Sequence, residues 1–234
     1  MSAGAAVRRP VVLVMAKVPV AGRVKTRLAA SVGNEHAAWL AHAALLDTLD
    51  ACERVFGTGR RYLALAGDLD ELEPDLAERL KSRLDGWTVL AQRGADLAER
   101  LEHAHRDVHE DTGAPVVQIG MDTPHVDATV LALVGELAAR SRSVLGLARD
   151  GGWWVLASTS AADVSGLRDV VMSAPNTGQA TLQLLRSAGR DVALAPVMRD
   201  VDDAADAEHV AASAPQIRFA RTWCALTRLD AECA

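Results

Sequence analysis

Six consecutive apolar positions, Val11-Val12-Leu13-Val14-Met15-Ala16, set the tightest limit on what this chain can fold into. The run is rich in β-branched residues and shows no polar–apolar alternation, the pattern of a strand buried on both faces. Such a strand needs cover on both sides, and the remaining sequence supplies it. Strand-like runs recur at Arg61 to Ala66, Trp87 to Leu90, Pro115 to Ile119, Ser143 to Leu147, Trp153 to Ala157 and Asp191 to Pro196. Helix-like stretches separate most of them, at Glu35 to Arg54, Glu71 to Leu84, Ala95 to His109, Ala128 to Ala139, Thr177 to Ala188 and Asp203 to Ala212. Leu72, Leu76, Leu80 and Leu84 repeat every four residues, and Leu97 and Leu101 mark the apolar face of the next helix. Near-strict alternation of strand and helix predicts an α/β domain around a mostly parallel sheet.

No linker, repeat or low-complexity block divides the 234 residues. Residues 10–213 are therefore read as one domain, with a disordered N-terminal segment at 1–9 and a tail at 214–234. In the tail, Ile217, Phe219, Trp223 and Leu226 are spaced like one face of a helix. That face packs on the parent domain or, alternatively, forms a homodimer contact. With 50% hydrophobic residues but only five Trp, one Tyr and two Phe, the core must be aliphatic. A formal net charge of −6 disfavours non-specific nucleic-acid binding, so no nucleic-acid partner is expected. The longest apolar stretch is far too short for a membrane span. The apolar run behind Arg8 and Arg9 ends at Lys17, too early for a secretory signal. Cys52, Cys224 and Cys233 show no CxxC or metal spacing and read as free thiols, so a cytoplasmic location is expected.

In open α/β sheets, ligands bind at the carboxyl ends of the strands, so the chemistry is sought just after each strand. The segment from Ala16 to Arg27 carries Lys17, Arg23, Lys25 and Arg27 around Pro19 and Gly22. Only three of the 25 basic residues are lysine, and two of them lie in this loop. Cations, backbone amides and a following helix suit a polyanion; the alternative is an ordinary basic surface loop. It is not a P-loop, because Val24 stands where a glycine must precede Lys-Thr. Asp122, in Gly120-Met121-Asp122-Thr123-Pro124, is either a ligand for Mg²⁺ or Mn²⁺ shared with substrate phosphates or the N-cap of the next helix. In Asp150-Gly151-Gly152-Trp153-Trp154 the glycines admit a ligand to the backbone. One indole can face that ligand and the other the core, or the segment is a tight turn with both rings packed. After the last strand, a strand-like conformation points Asp200 and Asp202 to one side; one is read as a metal ligand and the other as a helix cap. His105 and His109 lie four apart but lack a third ligand, so they are expected on a solvated helix face. No GxSxG or Ser-His-Asp order supports a serine hydrolase.

These segments fall in an order that resembles the DUF2064 family of GT-A-like transferases. The carriers are Met15-Ala16-Lys17-Val18-Pro19-Val20-Ala21-Gly22-Arg23-Val24-Lys25-Thr26-Arg27-Leu28, then Gln92-Arg93-Gly94-Ala95-Asp96-Leu97-Ala98-Glu99-Arg100-Leu101, Gly120 to Pro124, Asp150 to Trp154, and Asp200-Val201-Asp202. The departures are Ala21 for Pro, Ala98 for Gly, Met121 for Ser, Trp153-Trp154 for a tyrosine pair and Asp203-Ala204 for Thr-Pro. None removes a lysine or a carboxylate.

The resemblance implies the nucleotide-diphospho-sugar transferase (GT-A) fold, a three-layer α/β/α sandwich. It also implies that Ala16, Lys17, Gly22, Arg23, Lys25 and Arg27 cradle nucleotide phosphates, and that Gln92 and Gly94 lie near the base. Asp122 and Asp202 would hold Mg²⁺ or Mn²⁺, with Lys25 assisting the leaving group. Asp150 would act as base, with Gly151, Gly152 and Trp153 facing the sugar or acceptor. The expected function is metal-dependent glycosyl transfer from a nucleotide sugar to a small-molecule acceptor. One alternative is nucleotidyl transfer of guanylyl or cytidylyl type from a nucleoside triphosphate to a small phosphorylated substrate. Another is a non-catalytic nucleotide-binding module.

Overall fold

A computed structural model describes residues 8–232; most of the N-terminal segment expected to be disordered, and Cys233, lie outside the described residues. The doubly buried run forms β1 (Val11–Lys17). It is followed by α1 (Thr26–Val32), α2 (Asn34–Glu53), β2 (Arg61–Ala66), α3 (Pro74–Arg83), β3 (Thr88–Ala91) and α4 (Leu97–Thr112). Then come β4 (Val116–Gly120), α5 (Ala128–Ala139), β5 (Ser143–Ala148), β6 (Trp153–Ser158), α6 (Thr177–Ser187), β7 (Val192–Met198), α7 (Ala204–Ser213) and α8 (Arg218–Glu232). The strands make one sheet in the order β3-β2-β1-β4-β6-β5-β7. β6 runs antiparallel to β4 and β5, and the other pairings are parallel.

β1 is buried on both faces, as its lack of alternation requires. Val12, Val14 and Ala16 join a core with α2, α3 and α5, whereas Val11, Leu13 and Met15 join another with α4 and α6. Each such buried aliphatic side chain contributes about 1.5–3 kcal/mol. A third core lies outside the sandwich, where Leu28 of α1, Leu40 and Ala44 of α2, and Val210 of α7 meet Phe219, Trp223 and Leu226 of α8. The tail thus packs along α2. Asp47 of α2 fixes its start, because its carboxylate accepts the backbone N–H groups of Arg218 and Phe219 at 3.1 and 2.8 Å.

Four sequence expectations change. The loop after β1 is shorter than expected, because α1 begins at Thr26, following a Lys25 in left-handed conformation. α3 starts at Pro74 rather than Glu71, since Leu69–Glu71 is a separate 3₁₀ turn capped by Asp68. Leu97 is 45% exposed, at the first position of α4 after the Asp96 cap, so of the two leucines only Leu101 lies on the buried face of the helix. His105 is fully buried, not solvated. Its Nδ1 lies 3.0 Å from Ser158 Oγ, and His109 Nε2 lies 2.9 Å from the same oxygen. Among the described residues, no helix is long and apolar enough to cross a membrane.

Candidate active site

The strand order reverses between β1 and β4, so their carboxyl ends open a crevice that side chains from four loops can line. The first loop, between β1 and α1, is pinned from below by Val18 and Val24, which are buried. Gly22 turns it at a positive φ of 77°. Lys25 also adopts a left-handed conformation, at φ 48° and ψ 45°. For a residue with a Cβ this costs on the order of 1 kcal/mol and persists only where the surroundings hold it. What holds it is visible. Its side chain is only 6% exposed, and Nζ donates to Asp122 Oδ1 and to the Val201 carbonyl. The other two cations after Gly22 are exposed: Arg23 pairs with Glu71, away from this point, and Arg27 Nη1 donates to Asp202 Oδ2 at 3.1 Å. Lys17 ends β1 and is exposed.

The second and fourth loops are tied to one another. Val201 N–H donates to the Asp122 carbonyl at 2.9 Å, joining the chain after β4 to the chain after β7. Val201 is buried in the outer core beside Leu28. Its neighbours Asp200 and Asp202 share the opposite side. Neither of them caps α7: Asp203 does, accepting the Asp206 N–H. Asp122 likewise caps nothing, because α5 is capped by Asp127. Met121, in place of the expected serine, is buried, with its sulfur 3.4 Å from the Lys17 amide nitrogen.

The third loop is the β5–β6 turn. Gly152 N–H donates to Asp150 Oδ1 at 2.7 Å, which orients that carboxylate. Gly151 has φ +94°, and a Cβ there would stand 1.9 Å from the Pro175 carbonyl oxygen. Gly178 N–H donates to the Gly151 carbonyl at 2.8 Å, so the start of α6 braces the turn. Trp154 is buried, its indole N–H donating to the Pro196 carbonyl at 2.9 Å. Trp153 is half-buried against the core on the other face of the sheet.

The consequence is an acidic centre. Asp150, Asp200 and Asp202 each bring a carboxylate oxygen into a set lying within 4.8 Å of one another. Burial, then the charge of Asp150, pushes the Asp200 carboxyl up to about 6, with Asp202 and Asp122 adding to it. Burial, Asp122 and Asp150 also raise Asp202, while Lys25 and Arg27 pull it down. Carboxylates crowded this closely suit a hard divalent cation, which takes oxygen ligands. Asp200 is the residue that sequence reasoning left between two roles; its signal was the two-residue spacing from Asp202.

Away from the acidic centre, Gln92 lies across the ends of β1 and β2. Its Nε2 donates to the carbonyls of Ala16 and Ala64, both at 2.9 Å. Both partners are acceptors, so the side-chain oxygen is left for a ligand. Gly94 follows at φ +135°, where a Cβ would meet Glu99 Cβ at 2.7 Å. The structure therefore gathers Lys25, Arg27, Asp122, Asp150 and Asp202 around one centre. Arg23 is drawn aside to Glu71, and Gln92 and Gly94 border the β1–β3 side.

Residues 48–174 match a family model described as "Uncharacterized protein conserved in bacteria (DUF2064)". No curated protein matches the sequence. Among solved structures, a protein from Desulfovibrio desulfuricans G20 with the provisional description of nucleotide-diphospho-sugar transferase is 27% identical, with a TM-score of 0.78 over 96% of each chain. A cytidylyltransferase from Leptospira borgpetersenii is 11% identical, with a TM-score of 0.55 over 96% of this chain and 94% of its own. A 4-diphosphocytidyl-2C-methyl-D-erythritol synthase from Anaerococcus prevotii is 10% identical, with a TM-score of 0.54 over 88% and 97%. The last two share the fold.

Proposed function

The chain belongs to the DUF2064 family and has the fold of nucleotide-diphospho-sugar transferases, and from that premise we propose that it is a metal-dependent transferase that moves a glycosyl group from a nucleotide sugar to a small-molecule acceptor. The observation that carries this reading is the meeting, at the β1–β4 crevice, of a cation-bearing loop with three carboxylates within 4.8 Å. Asp200 and Asp202 would hold Mg²⁺ or Mn²⁺, with Asp122 beside them, and Asp150, the exposed member of the set, is left free to act as base. A divalent ion there neutralises charge developing on the diphosphate leaving group. Lys17, Arg23, Lys25 and Arg27 supply the fixed positive field that binds and orients the phosphates. Gln92 offers its side-chain oxygen to the base. The acceptor hydroxyl attacks the anomeric carbon, the bond from that carbon to the diphosphate oxygen breaks, and Asp150 takes the hydroxyl proton. The glycosyl assignment draws on the 27% identical relative.

A second reading is nucleotidyl transfer, in which the same loop, with Lys17, Arg23, Lys25 and Arg27, would bind a triphosphate. There a substrate phosphate attacks the α-phosphorus of a nucleoside triphosphate and pyrophosphate leaves. A thermal-shift panel of nucleoside triphosphates, diphosphates and nucleotide sugars, with and without Mn²⁺ or Mg²⁺, separates the two. Ligand at 100 times its Kd adds about 2.7 kcal/mol, a shift of several degrees for a chain of this size. Metal-dependent stabilisation by a nucleotide sugar beyond that of its diphosphate is the expected result. A response to triphosphates alone selects nucleotidyl transfer, and silence across the panel refutes both.

A further inference from the structure

At the candidate site, two loop cations are paired with carboxylates. Lys25 Nζ donates to Asp122 Oδ1, and Arg27 Nη1 donates to Asp202 Oδ2 at 3.1 Å. Both cations lie on the loop that the proposed function gives to the polyphosphate. Asp202 belongs to the acidic centre that it gives to the metal, and Asp122 lies beside that centre, close enough to raise the Asp202 carboxyl. Arg23, on the same loop, is paired with Glu71 instead, which is not part of that centre. The loop thus contains an internal control.

Resting on that function, we infer that Lys25 and Arg27 are exchangeable countercharges, neutralising Asp122 and Asp202 until a metal and a polyphosphate arrive together. A divalent ion entering alone has to displace the Arg27 guanidinium from Asp202. A polyphosphate entering alone has to draw that guanidinium off a carboxylate, leaving the carboxylate uncompensated. When both bind, the guanidinium passes to phosphate oxygens and Asp202 turns to the ion, so each ligand replaces what the other removes. By thermodynamic reciprocity each then tightens the other's binding by the same factor. The exchange is sterically open, because the Arg27 side chain is 77% exposed and its partner 37%. Lys25 is anchored more deeply and also bonds the Val201 carbonyl, so its release would loosen the joint between the β4 and β7 loops.

The test is calorimetric titration of Mn²⁺ alone into the full chain as wild type, Arg27→Ala and Arg23→Ala. Both variants lose one exposed positive charge, but only the first uncovers a carboxylate of the centre. An exposed ion pair shifts an equilibrium by about 1.4- to 5-fold. Arg27→Ala is therefore expected to bind Mn²⁺ tighter by that factor, with Arg23→Ala unchanged. Titration of inorganic tripolyphosphate with EDTA present should show weaker binding in both variants. If Arg27→Ala binds Mn²⁺ no more tightly than Arg23→Ala, the exchange is overturned while the metal centre stands. If none of the three proteins binds Mn²⁺, with or without tripolyphosphate, the metal centre falls and the exchange falls with it.

Discussion

Replacing Asp200 with Asn should make the metal-free protein more stable and deaf to metal. The Asp200 carboxyl is raised from 3.8 to about 6 by burial and by its acidic neighbours. A folded value above the unfolded one means the group favours folding when protonated. That contribution is present below pH 3.8 and is lost as pH rises through 6, leaving a cost at neutral pH. A shift of roughly two units corresponds to about 3 kcal/mol as a ceiling. Asp200 is half-buried, and screening by water reduces the figure to about 1–2 kcal/mol. For a chain of this size each kcal/mol moves Tm by about 2–4 °C. Melting in EDTA at pH 7.5 should therefore place Asp200→Asn about 2–8 °C above wild type, with the gap closing as pH falls toward 4. Saturating Mn²⁺ should raise the wild-type Tm and leave the variant where it is. A variant that melts below wild type in EDTA, or that gains as much from Mn²⁺, would refute the reading of Asp200 as uncompensated charge awaiting a cation.

Two further outcomes follow from the backbone and from the histidines. Gly151→Ala places a Cβ 1.9 Å from the Pro175 carbonyl oxygen at φ +94°, whereas Gly33→Ala, at φ +82°, meets nothing within 4 Å. The Gly33 variant should lose only the cost of a glycine-only backbone conformation (φ 82°, ψ 161°), about 1–3 kcal/mol, and the Gly151 variant more, because its clash is with backbone; equal urea midpoints would show that the turn simply yields. Burial holds His105 down at about 3, with the charge of His109 adding to it, against 6.5 when unfolded. A depressed histidine leaves stability intact above pH 6.5 and drains it below, at up to about 1.4 kcal/mol per pH unit. Urea unfolding of wild type between pH 7.5 and 4.5 should therefore weaken more steeply than that of His105→Asn, and parallel curves would mean that His105 is not what titrates.

β1 was legible because burial on both faces removes alternation, and a run of six apolar residues says that directly. The other strands and most helices announced themselves by contrast with it, and strand ends then told where ligands should gather. α1 was not legible: it has seven residues, no side-chain cap, and begins after a strained lysine whose conformation is set by Asp122 and Val201 in distant loops. His105 was misjudged for a related reason. A histidine on an amphipathic helix looks solvated unless the partner is known, and the partner, Ser158, comes from a strand 53 positions away. Asp47 shows the same limit, since nothing in α2 foretells that its carboxylate would cap α8.

In the acidic centre, the sequence could list aspartates that follow strands, but not divide them among tasks. That division comes from register and pairing. Asp203 is taken by the α7 cap and Asp122 by Lys25, and both roles depend on where neighbouring backbone groups lie. With Val201 buried between them, Asp200 and Asp202 have no direction left but the crevice, where Asp150, oriented by Gly152 N–H, already stands. Such a cluster opposes folding. The chain offsets part of that opposition with Lys25 and Arg27, which pair with Asp122 and Asp202, and among the described residues no cation pairs with Asp150 or with Asp200, the more buried of the two. Where a site carries carboxylates without a countercharge, a ligand cation is the remaining partner. The Asn variant of Asp200 asks whether this protein uses one.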